Sequence, residues 1–405
     1  MNNLDGKVSK IAKKRYFFAL GPGDLLLAHK SWASDIHHSS EVGLTYSGQS
    51  MEFCQTQGYE ALMISYCQRV GKINETPFVL ENRPKINILG RHGIGFFISE
   101  ALYAISLALS AMRFGAKVAV IDSGTSVWFM LWIFRLFGMK VIPNFHNTYH
   151  PVGYPPISPI HKFIKTLDQL FFRYGTSVSV GVSPACARQY KKMAGSSSKC
   201  FEFRSQFSPD DFGSQVPISH ETDPFVLLFV GRVERNKGVF DLLDMVDALR
   251  TASHRPFLLE ICGGGQDMEA VQAMIKARNL GHLVKMNGRL KRVDLLPIYK
   301  HSHLVIVPTR SDFCEGLAMV CVEAVLQGRP VVTSRVVPAI EILGDALIEA
   351  ETDNVESYVE KILNLMNDPH EYRRRVNACV SVTDPFLNPS FGLTAVLQKV
   401  IKSLS

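Results

Sequence analysis

Two glutamates, Glu315 and Glu323, are the residues in this chain best suited to bind or transform a ligand. They lie in the stretch 306–332, which predicts a strand, a Pro/Ser/Asp turn, a helix that begins at Glu315 and Gly316, and a second strand. The first N–H groups of a helix lack partners and its dipole favours negative charge, so such a turn can hold an anion. Two carboxylates beside an anion indicate a ligand that also carries hydroxyl groups, as a nucleotide sugar does.

Two cations, Arg232 and Lys237, flank an earlier strand-to-helix turn that ends at Gly238. Fixed cations near a helix N-terminus can hold a diphosphate and offset the charge it gains as a leaving group. A solvated loop explains the pair equally well when it is taken alone. Its position about three strand–helix units before the glutamates favours a function. The glycine run 263–265 is weaker, since a tight turn with close backbone packing explains at least two of the three glycines.

In the first half of the chain, His146 and His150 have a spacing that could bind zinc on a helix. Pro143 and Pro151 indicate a loop instead, and no glutamate follows the first histidine. A histidine that hydrogen-bonds a substrate in a cleft, or a structural loop histidine, is therefore favoured over a metal ligand. The chain has no Asp-x-Asp, a common chelator of metal–nucleotide complexes, so we predict fixed cations and no metal.

The elements that must position these residues alternate between apolar strands and helices. In the second half the predicted strands are 225–230, 257–262, 283–286, 304–307, 330–333 and 346–348, and the predicted helices are 240–250, 268–279, 294–301 and 355–366. This alternation is typical of a parallel sheet covered on both faces, which binds ligands at the carboxyl ends of its strands. All the motifs of this half fall at such ends.

The first half is less regular but similar in kind. Its candidate strands are 16–20, 61–66, 86–89, 117–121, 141–145 and 177–182, with apolar helices at 97–113 and 126–137. The turn 21–24, Gly-Pro-Gly-Asp, either lets the backbone approach a ligand or only turns the chain. The polar segment 210–223, with Gly213 and Pro217, is interpreted as a linker between two domains, which 405 residues favour over one core. An amphipathic helix is predicted at 393–404.

Composition narrows the class of protein. With 46% hydrophobic and 20% charged residues the chain is an ordinary globular protein. The net charge of +7 is modest and no nucleic-acid motif accompanies it, so no nucleic-acid partner is expected. Eight cysteines without Cys-x-x-Cys favour reduced thiols in the cytoplasm. No signal peptide is read in 1–20, and the most apolar run, 127–137, is too short to span a membrane.

Two groups of basic residues leave membrane contact open. They are Lys7, Lys10, Lys13, Lys14 and Arg15, and then Lys162, Lys165, Arg188, Lys191 and Lys192. Contact with anionic lipid is one interpretation, and a solvated surface is the more common explanation of such charges.

Taken together, the motifs resemble family 4 retaining glycosyltransferases of the GT-B fold. The resemblance rests on Glu315-x7-Glu323 with Gly316, on 230–238, on 263–265 and on 330–341, in this order. It is strong over 225–369 and weaker before, where His146 fits the family's cleft histidine. It implies two Rossmann-like, doubly wound parallel-sheet domains across a cleft: 1–215 for the acceptor and 222–385 for the nucleotide-sugar donor, with 386–405 packing back on the first.

The resemblance also implies roles for particular residues. Glu315, His146, Arg232 and Lys237 would be catalytic, with Glu315 and His146 near the donor sugar and the two cations on the diphosphate. The donor would further be bound by Glu323 at the ribose, by backbone amides of Gly316 and Leu317, by the base-cradling loop of Gly288 and Leu290, and by Gly21 and Gly23.

Three departures from the family pattern concern the pockets rather than these main residues. Pro22 removes an N–H from the first loop, 203–207 replaces an Asn-Gly turn, and 336–339 replaces glycines before Glu341. They indicate an unusual donor or acceptor pocket.

The resulting hypothesis is a cytoplasmic glycosyltransferase of the hexosyltransferase class. It transfers a sugar with retention, without metal or cofactor, from a nucleoside-diphosphate sugar. A UDP-sugar is the favoured donor. The acceptor is a saccharide or lipid-linked hydroxyl in polysaccharide or cell-envelope synthesis, and peripheral contact with the inner face of the membrane stays open. The alternatives are an inactive sugar-nucleotide-binding relative and a GT-B nucleotide-sugar epimerase.

Overall fold

A computed structural model describes residues 14–34, 43–85, 93–212, 215 and 218–404. It contains two parallel α/β sheets in sequence, one of eight strands and one of six. The predicted strand 86–89, the basic residues Lys7, Lys10 and Lys13, and Gly213 and Pro217 of the linker lie outside the described residues.

The first sheet has the strand order β3-β4-β2-β1-β5-β6-β7-β8, and only β3 is antiparallel to its neighbour. Its elements in chain order are β1 Arg15–Pro22, α1 Leu25–Ala33, α2 Tyr46–Gln57, β2 Glu60–Tyr66, β3 Gly71–Glu75, β4 Phe78–Arg83, α3 Gly93–Phe114, β5 Val118–Asp122, α4 Trp132–Leu136, β6 Lys140–Phe145, α5 Pro159–Gly175, β7 Val178–Gly181, α6 Pro184–Ala194, β8 Lys199–Glu202 and α7 Pro209–Phe212. A 3-10 turn, Trp128–Leu131, precedes α4.

The second sheet has the order β11-β10-β9-β12-β13-β14, all parallel. Its elements are β9 Phe225–Val230, α8 Val239–Ala252, β10 Phe257–Cys262, α9 Met268–Ala277, β11 Val284–Gly288, α10 Arg292–His301, β12 Leu304–Val307, α11 Met319–Leu326, β13 Val331–Ser334, α12 Ile340–Leu343, β14 Leu347–Ala350, α13 Val355–Asn367, α14 Pro369–Ser381, α15 Asp384–Leu387 and α16 Leu393–Leu404. Helix α16 returns to the first sheet, where Leu393 N–H donates to Gln49 Oε1 of α2 at 2.8 Å.

Strand positions in the second half were predicted closely because parallel strands covered on both faces are continuously apolar. Strands β9, β10 and β12 have the predicted bounds, and their side chains are almost all buried. The β3–β4 hairpin was missed, since β3 is exposed and polar. The predicted helix 126–137 is a 3-10 turn followed by the short α4.

One sequence expectation about the membrane was wrong. The span Gly95–Phe114 within α3 is long and apolar enough to cross a membrane by length and composition, whereas the sequence reading named only the shorter run 127–137. The core helix of a globular protein passes the same test, and somewhat under half of this span (44%) is buried against the rest of the protein. Its buried side contacts β1 and β2.

Candidate active site

A cleft of about 1000 Å³ opens at the carboxyl ends of β9, β10 and β12. This is the edge at which a parallel sheet presents its loops. The cleft brings together four of the charged residues singled out in the sequence: Arg232, Lys237, Glu315 and Glu323. The glycine run 263–265 and the Arg289–Leu290 segment also line it.

Lys237 and Glu315 form an ion pair inside this cleft. Glu315 is only 7% exposed and also accepts a hydrogen bond from Thr309 Oγ1 at 3.2 Å. Lys237 ends a 3-10 turn, and Gly238 then starts α8 with a left-handed φ of 76°. A Cβ at Gly238 would lie 2.2 Å from the Pro308 carbonyl, so this turn needs glycine.

Phe313 contacts both of the cations singled out in the sequence, Arg232 and Lys237, and was not itself identified from the sequence. The Lys237 ammonium lies 3.9 Å from its ring centroid and the Arg232 guanidinium 5.3 Å, both within cation–π range. Arg232 also pairs with Glu234 at 2.8 Å. An aromatic residue two positions before Glu315 was the available signal, but nothing in the sequence placed it near the earlier turn.

The helix after Glu315 begins later than predicted. Ala318 has a left-handed φ of 65° and caps α11, which therefore starts at Met319 rather than at Gly316. Ala318, Met319 and Val320 line the cleft, whereas Leu317 is buried in the core. The free amides of the helix start thus belong to a segment a few residues downstream of Gly316 and Leu317.

Gly316 instead packs against the backbone of the first domain. A Cβ there would lie 1.6 Å from the His146 carbonyl oxygen, so only glycine allows this approach. Beside it, Thr148 N–H donates to the Glu315 carbonyl at 3.2 Å. The glutamate loop and the histidine loop are therefore in direct contact across the two sheets.

Glu323 lies in the first turn and a half of α11 and is 7% exposed. It accepts a hydrogen bond from the Tyr299 hydroxyl at 2.7 Å. Burial and the neighbouring Glu323 carboxylate raise the pKa of Tyr299 well above its ordinary value, so this hydroxyl remains a donor. Tyr299 orients the carboxylate and was missed in the sequence, since it lies in the last turn of the preceding helix, α10, where no motif marks it.

Two of the three glycines between β10 and α9 allow close backbone packing, as the sequence predicted. A Cβ added at Gly263 would lie 1.7 Å from the Gly231 carbonyl oxygen. A Cβ added at Gly265 would lie 2.3 Å from the Val233 carbonyl oxygen. Gly264 has no such neighbour, with the nearest atom at 3.9 Å. Leu290 lines the cleft, whereas Gly288 supports it from behind by accepting the Gly263 N–H at 2.8 Å.

A second cavity of about 580 Å³ adjoins the first and is lined mainly by the first domain. The two share Arg289 and Met319. His146, Gly21 and Gly23 line this second cavity and not the first. The Gly21 amide donates to Asp122 Oδ2 at 3.2 Å and the Gly23 amide to the Tyr66 carbonyl at 3.0 Å, so neither is free to hold a diphosphate in this conformation.

His146 is held by a polar network at the ends of β5 and β6. Its Nε2 lies 3.3 Å from Asp122 Oδ2 and 2.9 Å from Asn144 Nδ2, and the Tyr46 ring is 4.3 Å away. Asp122 is 5% exposed and was missed, although its place at the end of a predicted strand was a signal. His150 is not part of this network, and its ring Nδ1 lies 2.9 Å from the Pro151 carbonyl.

The described residues also bear on the metal site and the lipid contacts discussed for the sequence. Across 14–34, 43–85, 93–212, 215 and 218–404, no three His, Cys, Asp or Glu side chains are grouped as a metal would need. Metal independence stays a prediction. Arg188, one of the basic residues considered for lipid contact, forms an ion pair with Glu341 of the second domain.

Comparison with solved structures defines the class of fold. The sucrose-phosphate synthase of Thermosynechococcus elongatus superimposes with a TM-score of 0.74 at 15% identity over 97% of this chain and 99% of that one. Anabaena HepE, solved in complex with UDP, superimposes with a TM-score of 0.65 at 14% identity over 96% of this chain and 99% of that one. Two parallel-sheet domains in this arrangement are the GT-B fold, as expected from the sequence.

Sequence comparison places the chain more closely. Residues 214–378 match the family described as glycosyl transferases group 1, and this segment contains the second sheet of the GT-B fold. Glycogen synthase of Mycobacterium tuberculosis is 28% identical over 163 residues, which are 39% of this chain and 37% of that enzyme. The matched region thus spans well under half the length of that relative. The resemblance to GT-B glycosyltransferases is confirmed, and a retaining family 4 assignment is consistent with it.

Proposed function

We propose that this protein is a retaining glycosyltransferase that moves a sugar from a nucleoside-diphosphate sugar to an acceptor hydroxyl without a metal ion. The observation that carries the proposal is the large cleft in which Lys237, Glu315 and Glu323 converge on the start of α11. Cations, buried carboxylates and a helix N-terminus in one cleft match a ligand that has a diphosphate and several hydroxyl groups. The match of residues 214–378 to glycosyl transferases group 1 supports the same class of reaction.

The diphosphate is assigned to the start of α11. Met319 and Val320 line the cleft there, and the amides of a first helical turn favour an anion. Lys237 and Arg232, both over the Phe313 ring, supply the countercharge. Lys237 is paired with Glu315, and a diphosphate at the start of α11 would give the ammonium a second anionic partner.

The ribose is assigned to Glu323. Met319 and Glu323 are four residues apart and so lie on one face of α11, separated by about 6 Å along its axis. That distance suits a ribose whose 5′-phosphate lies at the helix start and whose hydroxyls reach the carboxylate. The nucleobase would then lie towards Leu290 and Gly264. Both carboxylate oxygens can accept hydroxyl hydrogen bonds, and Tyr299 fixes the plane of the group.

In this proposal, transfer with retention proceeds by substitution on the same face of the anomeric carbon. The bond between the anomeric carbon and the diphosphate oxygen breaks with its electron pair on the diphosphate. The acceptor oxygen forms the new bond from the same face, and its proton passes to a leaving phosphate oxygen. Lys237 and Arg232 stabilise the charge that develops on that leaving group. Glu315 contacts the donor sugar.

The acceptor is assigned to the second cavity, which joins the first at Met319 and Arg289. His146 lines it and touches the Gly316 loop through its carbonyl, so it is placed between acceptor and donor sugar. We propose a saccharide or lipid-linked acceptor in polysaccharide or cell-envelope synthesis, met in the cytoplasm at the inner face of a membrane. UDP is the nucleotide tested first, since HepE was solved with UDP.

The first experiment measures binding. A thermal-shift panel of UDP, GDP, ADP and CDP is expected to raise the melting temperature most for UDP, because a ligand that binds only the folded protein stabilises it by mass action. The same panel on Glu323→Gln should show a weaker shift. The control Glu360→Gln, on the exposed surface of α13, should behave as the wild type. No shift with any nucleotide would remove the donor-site assignment.

The second experiment measures turnover. Hydrolysis or transfer from the donor chosen by the panel should fall at least about 100-fold in Lys237→Ala, the effect of losing one charge-stabilising group. Lys361→Ala, which removes a partly exposed lysine on α13, should leave the rate unchanged. Activity should persist in EDTA. Normal rates in Lys237→Ala would contradict the mechanism, and loss of activity in EDTA would contradict metal independence.

A further inference from the structure

Three consecutive helices, α3, α4 and α5, cover one face of the first sheet with an apolar outer surface. Helix α4 contacts α3 on one side and α5 on the other, so the three form a continuous layer. Among the described residues 19 large apolar side chains are exposed, and 13 of these lie between Phe96 and Tyr174. A contiguous exposed apolar surface of this kind marks an interaction site.

Helix α3 carries the first part of this surface. Ile98, Leu102, Ile105 and Met112 are each 39–46% exposed and repeat at intervals of three, four or seven residues, on one side of the helix. The opposite side packs on β1 and β2. A helix that packs on a sheet normally has a polar outer face, and α3 does not.

Helix α5 repeats the pattern. Ile160, Phe163, Leu170 and Tyr174 are 47–64% exposed on one side of the helix, and Ile157 just before it is 85% exposed. Its inner side buries Phe171 and Phe172 together with Asp168. Leu136 at the end of α4, 80% exposed, lies in the helix between α3 and α5.

The exposed charges of this layer are all positive. From residue 93 to residue 194 the chain has ten Lys and Arg and three acidic residues. The acids, Glu100, Asp122 and Asp168, are each no more than 5% exposed. Lys162 and Arg173 are exposed on α5, and Lys162 adjoins Phe163, whereas Lys165 is half-buried. The surface therefore combines apolar side chains with basic ones and presents no exposed carboxylate in this part of the described chain.

We propose that the outer face of α3, α4 and α5 docks on a lipid bilayer that contains anionic lipids. Apolar side chains would enter the interface while Lys and Arg contact phosphate headgroups, as interfacial helices do. A second copy of this chain is the competing occupant. It fits less well, because a symmetric contact would bring two acid-free basic surfaces together.

The helices would lie in the plane of the membrane surface rather than cross it. Crossing would require α3 to leave β1 and β2, against which Leu107, Ala108 and Ala111 are buried. The start of α5 and the second cavity both follow the carboxyl end of β6, so docking would bring the proposed acceptor cavity towards the membrane. This last point rests on the proposed function, whereas the docking itself does not.

Vesicle flotation with the full chain tests the proposal. Wild-type protein should float with vesicles of phosphatidylcholine and phosphatidylglycerol at low salt, and much less with phosphatidylcholine alone. Replacing two exposed cations of α5 in Lys162→Gln/Arg173→Gln should weaken binding about 30-fold, from roughly 1 kcal/mol for each Lys or Arg near an anionic surface. Ile160→Ser/Phe163→Ser should weaken it at least about 100-fold, because two apolar side chains no longer enter the membrane.

Two matched variants control for general effects. Val293→Ser/Val380→Ser removes two exposed apolar side chains outside this layer, and Lys361→Gln removes a partly exposed lysine outside it. Both should bind vesicles as the wild type does. The thermal shift with UDP should be the same in every variant, which separates a failure of docking from a failure of the donor site.

The other outcomes overturn the proposal. Wild-type protein that stays with the buffer at low salt excludes membrane docking. Equal binding to neutral and anionic vesicles excludes a contribution from the basic side chains to docking. Unchanged binding by both double variants of α5 excludes the outer face of α3, α4 and α5 as the docking surface. A concentration-dependent dimer that Ile160→Ser/Phe163→Ser abolishes, in a protein that does not float, assigns the face to a second copy.

Discussion

Replacing Gly316 with alanine tests the contact that brings the glutamate loop to the first domain. The new Cβ would lie 1.6 Å from the His146 carbonyl, and ordinary contacts begin at 3.4 Å, so one backbone segment must move by about 2 Å. Both neighbours are main chain, and neither can turn away as a flexible side chain would. A displacement of 1 Å at a reacting centre can cost about 100-fold in rate.

We therefore expect Gly316→Ala to lower glycosyl transfer or donor hydrolysis at least about 100-fold. The core of each domain is unchanged, so the melting temperature should fall far less than the activity. Hydrogen exchange of the Thr148 amide gives a readout without a substrate, because this amide donates to the Glu315 carbonyl and should lose protection.

Gly281→Ala is the matched control, since its Cβ would meet nothing within 4 Å and its backbone is not left-handed. It should match the wild type in rate, stability and exchange. If Gly316→Ala kept a rate within threefold of the wild type and Thr148 stayed protected, the close contact between the two loops would not exist in solution.

Three further changes have separate outcomes. Tyr299→Phe removes a hydrogen bond to the charged Glu323 and should weaken UDP binding by about 10-fold or more, measured by titration calorimetry, with unchanged affinity contradicting the orienting role. Gly238→Ala forces alanine into a left-handed turn 2.2 Å from a carbonyl and should cost at least about 2 kcal/mol of unfolding free energy in urea, whereas Gly281→Ala should cost little. Burial raises the pKa of Asp168 to about 6, so its charged form destabilises the fold above that pH and the cost is lost as pH falls below about 4. In Asp168→Asn this pH-dependent cost is absent, so the stability of the variant relative to the wild type should be higher at pH 7 than at pH 3 by up to about 3 kcal/mol; an equal difference at both pH values would contradict this.

Sequence reasoning reached the architecture because the second half encodes it locally. A strand that is buried on both faces must be apolar throughout, and β9, β10 and β12 are. The glycine turn after β10 was predicted from its glycines alone, whereas the atoms that require Gly263 and Gly265, the carbonyls of Gly231 and Val233, are visible only in the structure. The exposed hairpin strand β3 carried no such signal, because its side chains meet solvent.

The site was only partly accessible from the sequence. Glu315, Glu323, Arg232 and Lys237 were identified, and the structure brings them into one cleft. Phe313 and Tyr299 were not identified, because their roles depend on contacts with Lys237 and Glu323, which are distant from them in the chain.

The start of α11 was misplaced by the sequence. It depends on one left-handed residue, Ala318, a conformation that alanine seldom adopts.

What the sequence determined by itself is the order of strands and helices in the second half and the charged residues that meet in the cleft, because periodicity and charge are local properties. Only the tertiary structure decided that His146 belongs to a second cavity and that Gly316 joins the two domains, because both follow from backbone atoms of different sheets meeting in space. It also decided the apolar outer face of α3 and α5. A run such as 97–113 predicts a helix, but which of its sides is buried depends on the sheet beneath it.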